Sequence, residues 1–143
     1  MKNLYEIGII FRGTIICNYY FKDLPGQVKI EPHRDLRGAF ISSINSFLSK
    51  TFKNNPLEYF ESGNFLFAFK VSEIKAKDSP SRTKEAIIIY GIREKKRSPG
   101  KIAKEFLKKA ESLLNLFIER YRNIDFLTDS YLIKDFEFEL LSI

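Results

Sequence analysis

The chain has 143 residues, 44% of them hydrophobic, with 14 Phe and 7 Tyr, enough length and apolar content for one core and a single domain over 1–143. Its one cysteine, Cys17, excludes an intramolecular disulfide, and its one histidine, His33, excludes a paired-histidine metal site. The net charge of +6 raises nucleic acid and anionic membrane as partner classes, which the distribution of that charge must decide between.

Residues 3–11 and 14–21 are rich in Ile, Tyr and Phe and are joined across Arg12-Gly13, which predicts two antiparallel strands on a tight turn. Leu4, Ile7, Ile9 and Phe11 alternate with Tyr5, Gly8 and Ile10, so the first strand is apolar on both faces and suits the centre of a sheet covered on both sides. Arg12 would need positive φ in a type I′ turn, so a type I turn with a bulge at Gly13 is expected. Cys17 reads as a small buried apolar side chain in a reducing, cytoplasmic setting. Lys2 precedes a run broken by Glu6 and Gly8, so neither a signal peptide nor a membrane span is expected there, and membrane contact would be peripheral.

Pro25, Gly26 and Pro32 punctuate an exposed crossover over 23–33. Asp35 can cap a first helix in which Leu36, Phe40, Ile44, Phe47 and Leu48 recur at three- and four-residue spacing, ending near Asn54-Asn55-Pro56. Three β-rich runs follow at 56–60, 65–74 and 85–93. The first two form a hairpin around Glu61-Ser62-Gly63-Asn64, with Phe65, Phe67 and Phe69 on one face of the pleat and Leu66 and Ala68 on the other. Lys75 to Lys84 reads as a surface loop open to proteolysis. Ser98 is expected to cap a long helix with Pro99 in its first position, and Ile102, Phe106, Ala110, Leu113, Phe117 and Tyr121 give that helix a broad apolar stripe to about Tyr121. Tyr131, Phe138 and Leu141 fall near helical spacing, so a terminal helix over 130–141 is expected, capped by Thr128 or Asp129.

No catalytic constellation assembles from these residues. His33 stands alone in a Pro-flanked loop, and Ser42, Ser43 and Ser46 fall on a helix, not on a strained elbow. Glu137 and Glu139 make no convincing acid–base pair, and the seven glycines never cluster into a phosphate loop. A non-enzymatic chain without cofactor or metal is expected.

Arg93, Lys95, Lys96, Arg97, Lys101, Lys104, Lys108 and Lys109 face only Glu94 and Glu105 in the same stretch, while 123–143 carries five acids against Lys134. The chain is polarised along its length. Lys101, Lys104, Glu105 and Lys108 fit the solvated face of a helix, and the same basic patch could touch phospholipid headgroups or an acidic protein.

The order β-β-α-β-β-β-α-α over nearly the whole chain resembles the longin-like superfamily. The resemblance rests on Ile7-Gly8-Ile9-Ile10-Phe11-Arg12-Gly13, on the helix from Leu36 to Phe52, and on the strand from Ala86 to Ile92 leading into a long helix. It implies an α+β (α/β) domain with a five-stranded antiparallel or mixed sheet and helices on both faces. It also implies an adaptor that binds small GTPases, SNARE-like segments or sister longin or roadblock subunits, or pairs with a second copy, in regulating or tethering vesicle traffic. In longin-like proteins a groove between the first helix and third strand commonly receives partners. Here it would involve Phe40, Ile44, Phe47, Phe52, Leu57, Tyr59 and Phe60. The rival from another class is a basic RNA-binding or anionic-membrane domain. Against RNA, the basic residues are distant in sequence from Tyr19, Tyr20 and the Phe65-Phe67-Phe69 row, and no RNP-type pattern is present.

Overall fold

The computed structural model describes residues 4–22, 58–80 and 83–143. Five strands, β1 (Leu4–Phe11), β2 (Thr14–Tyr20), β3 (Tyr59–Ser62), β4 (Phe65–Ile74) and β5 (Glu85–Glu94), form one wholly antiparallel sheet in the order β2-β1-β5-β4-β3. Helix α1 (Pro99–Tyr121), a 3-10 helix (Ser130–Phe136) and a short α2 (Glu137–Leu141) complete the described chain. The class is α+β. The expected crossover over 23–33 and first helix over 36–52 lie outside the described residues.

The apolar pattern of β1 has the predicted consequence, since every residue of the strand is buried between β2 and β5. The two sides of the sheet feed two separate clusters. Ile7, Ile9, Cys17, Leu66, Ala68, Ile87 and Ile89 pack beneath α1 through Ala103, Phe106, Leu107, Ala110, Leu114 and Phe117. Ile10, Ile15, Phe69, Ile88, Tyr90 and Ile92 form the opposite cluster, edged by Phe60, Phe65, Phe67 and Val71. The predicted alternation of β4, with its Phe row opposed to Leu66 and Ala68, is thus the alternation observed.

Each side of the sheet requires one missing side chain. A Cβ on Gly91 would lie 2.4 Å from the Phe106 ring of α1, so the helix rests directly on the β5 backbone. On the other side, a Cβ on Gly8 would lie 2.6 Å from the Tyr90 ring, which covers its own cross-strand neighbour. Tyr90 then donates its hydroxyl hydrogen to the buried Glu6 carboxylate, to which Asn18 Nδ2 also donates at 3.3 Å. Glu6 can sit inside β1 because polar groups on both adjacent strands donate to it.

Several expectations are corrected. Arg12 and Gly13 both have positive φ, 53° and 75°, as a type I′ turn requires, and the bulge lies between Ile9 and Ile10 instead of at Gly13. β3 is shifted to Tyr59–Ser62, leaving Gly63-Asn64 as its turn. Ser98 lies in the left-handed region and its hydroxyl makes no capping bond, although Pro99 does open the helix. The terminal segment is not one helix. It begins as a 3-10 helix, whose three-residue period aligns Ile133 with Phe136 and, through α2, buries Leu140, while Tyr131, Phe138 and Leu141 are exposed. Asp129 stands at the start of the 3-10 helix without a side-chain cap bond.

Gly91→Ala is expected to cost about 1–3 kcal/mol by driving a methyl group into Phe106. Phe106→Leu in the same chain should recover part of that loss, so urea unfolding of the four proteins in the cycle should be non-additive. Ser98→Gly removes a Cβ from a left-handed position without losing a cap, and should raise the urea midpoint by an amount worth up to about 1 kcal/mol.

Candidate functional site

Of the predicted partner groove, Phe40, Ile44, Phe47, Phe52 and Leu57 lie outside the described residues. The other two residues are half-buried and separated by the pleat. Tyr59 packs with the cluster beneath α1, its hydroxyl near Gly100, whereas Phe60 belongs to the opposite side, stacked on Phe67 at 4.8 Å with the rings 4° from parallel. Adjacent residues of a strand point to opposite faces, so these two aromatics do not share one surface.

The basic patch divides as well. Lys95, Lys96 and Arg97 are exposed on the connection from β5, and Lys101, Lys104 and Lys108 are exposed along α1 at spacings of three and four, with Lys109 beside them. Arg93 does not join them. It pairs in register with Leu4 and Leu66 on the side facing α1 and is only 7% exposed. Burial lowers its pKa from the ordinary value, against the opposing charges of Glu105 and Glu94. Among the described residues only Lys95 of the patch forms an ion pair, with Glu61 at 3.3 Å. The remaining lysines form no ion pair with another described residue and present a row of exposed charge.

A third arrangement is absent from the sequence reading. The Arg12 guanidinium donates to both oxygens of Glu85, at 3.0 and 2.8 Å, and to Asp78 Oδ2 at 2.7 Å, while lying 4.6 Å above the Phe11 ring. Asp78 Oδ1 accepts the Phe126 amide at 2.9 Å, and Ser79 Oγ donates to Glu85 at 2.6 Å. Phe126 in turn packs on Phe11, ring centroids 4.6 Å apart. The β1–β2 turn, the segment after β4 and the segment after α1 are therefore joined by one clasp. The expected open loop from Lys75 is, over its described part, held down: Ala76 is buried, its amide bonds to Ser79 Oγ, and the Lys77 amide bonds to the Ile124 carbonyl at 3.1 Å. The signal in the sequence is Arg12 itself, a poor residue for its turn position unless its side chain is used elsewhere.

The carboxylates of the clasp shift accordingly. Hydrogen bonding from Arg12 lowers the Glu85 pKa against some burial, and Asp78 is also lowered, since Arg12 and the Phe126 amide together outweigh a larger burial effect. The hydrogen bonds to Glu85, then Asp78, raise the Arg12 pKa against burial.

Among the described residues no group of three or more His, Cys, Asp and Glu could hold a metal ion, and no helix is long and apolar enough to cross a membrane. Cys17 is buried and forms no disulfide. No protein-family model matches the chain, and no curated protein matches it in sequence.

Carboxylates with depressed folded pKa values stabilise the fold above their unfolded values and lose that contribution as pH falls through the folded ones. The urea midpoint of the wild type should therefore fall steeply below about pH 4.5, and an Asp78→Asn, Glu85→Gln double variant should show a flatter profile there. At neutral pH that variant should be less stable by about 1–3 kcal/mol.

Proposed function

We propose that this chain is a non-catalytic protein-interaction module of longin type, an adaptor or subunit in an assembly that regulates small GTPases or tethers vesicles. The observation that carries this reading is the succession of elements. A hairpin, β1–β2, is followed by a segment whose sequence has helical apolar spacing from Leu36 to Leu48, then by β3–β4, β5 and a long helix lying on one face of the sheet. That is the order on which the resemblance to the longin-like superfamily rests. The reading takes the protein to act in the cytoplasm, through binding surfaces and without a cofactor.

One observation favours a second reading. The exposed row Lys101, Lys104 and Lys108, continued by Lys95, Lys96 and Arg97, suits an anionic surface of phospholipid headgroups or RNA.

Light scattering on the chain, alone and mixed with small GTPases in each nucleotide state, separates the two. A complex formed in one nucleotide state only is the expected result. A chain indifferent to every GTPase, but retained on anionic vesicles or RNA at low salt and released by Lys101→Glu with Lys104→Glu, would replace the first reading by the second.

A further inference from the structure

Six large apolar side chains are exposed among the described residues, and five of them, Leu127, Tyr131, Leu132, Phe138 and Leu141, fall within 127–141. This concentration has a geometric origin. In the 3-10 helix, residues three apart eclipse one another, so Ile133 and Phe136 point inward while Leu132 and Asp135 point outward, and in the following α2 Phe138 and Leu141 are the exposed apolar residues. The segment is thus apolar on two sides. Its inner side packs on β2 and on the end of α1, with Phe136 set edge-on to Phe117 at 5.1 Å and to Tyr121 at 6.0 Å. Its outer side leaves Phe138 at 75% and Tyr131 at 67% exposure. An outward apolar row of this kind marks a surface that another element covers.

Charge decides what covers it. Asp135 is exposed between Leu132 and Phe138, Glu137 is exposed beside them and Asp129 is half-exposed, against Lys134 alone, while Glu139 is held by Arg120 at 3.1 Å. A second copy docked row to row would set these carboxylates against one another. The exposed face of α1 has the opposite net charge, but its exposed positions, from Lys101 to Arg120, are all charged or polar and include no large apolar side chain to receive Phe138 and Leu141. The occupant must bring an apolar row and positive charge together. We infer that the 3-10 and α2 segment is a docking surface for a basic amphipathic helix of a partner protein, with Leu132, Phe138 and Leu141 as anchors and Asp135 and Glu137 setting its charge preference. This surface lies on elements distinct from the groove of the longin reading and does not depend on that reading.

The test is fluorescence anisotropy of the full chain with a labelled peptide of about 18 Leu and Lys residues, its leucines arranged on one helical face. A peptide of the same composition without that face serves as control. The expected result is saturable 1:1 binding of the patterned peptide, weakened by salt and weakened roughly tenfold or more by Phe138→Ser with Leu141→Ser. Both replaced side chains are exposed, so circular dichroism and the urea midpoint should be unchanged in that variant. Phe138→Leu should retain most of the binding. Equal binding of the control peptide, undiminished binding by the serine variant, or loss of folding in that variant would overturn the inference. So would a wild-type dimer that the variant converts to monomer, which assigns the row to a second copy, or partition of the wild type alone onto uncharged phosphatidylcholine vesicles, which assigns it to lipid.

Discussion

The sheet depends on two aromatic rings laid against bare backbone. Phe106 reaches the β5 main chain because residue 91 has no side chain, and Tyr90 covers β1 because residue 8 has none. Strand order, helix height and the register of the central pair are coupled through these contacts. A one-residue slip between β1 and β5 would place Ile7 or Ile9 opposite Tyr90, and would also separate the Tyr90 hydroxyl from Glu6. The buried carboxylate thus specifies register as well as costing desolvation, since Tyr90 and Asn18 both reach its Oε2 in one alignment of the strands.

A second level of order is built on top of that sheet by side chains from its turns. Left-handed backbone at Arg12 costs about 1–2 kcal/mol by ordinary steric preference. It persists because the guanidinium it aims is bound to partners 66 and 73 residues away and stacked on Phe11. Local strain and distant pairing are parts of one arrangement, and it anchors the segment that carries the terminal helices through the Phe126 amide.

What the sequence made legible was whatever depends on period alone. The two-sided burial of β1, the split of Phe65, Phe67 and Phe69 from Leu66 and Ala68, and the apolar stripe of α1 are all consequences of neighbour spacing. Features set by distant contacts were not legible. The rule that disfavours Arg in a type I′ turn is sound locally and is overridden by Asp78 and Glu85. Ser98 is the expected capping residue, but its own backbone is left-handed and its hydroxyl makes no capping bond. The terminal segment was read with a helical period of 3.6, and its first part has a period of three, which moved the inner face onto Ile133 and Phe136. For the candidate site, a basic run was legible as a run, yet strand parity already sets Arg93 with Ile87, Ile89 and Gly91 on the side beneath α1, and sends Tyr59 and Phe60 to opposite faces.

The distribution of charge along α1 has an electrical consequence. Its 23 residues span about 34 Å. The first turn holds no acidic residue and is followed by Lys101, Lys104 and Lys108, while the last two turns are packed against the segment bearing Asp129, Asp135, Glu137 and Glu139. Lys101, close to the amino end, opposes the helix macrodipole and so costs the helix a few tenths of a kcal/mol. The placement of the lysines adds their charge to the positive end of that dipole, so the amino-terminal half of α1 carries a local positive potential. An anion approaching that end of α1 meets the lysine charges and the helix dipole acting in the same direction before it touches any side chain.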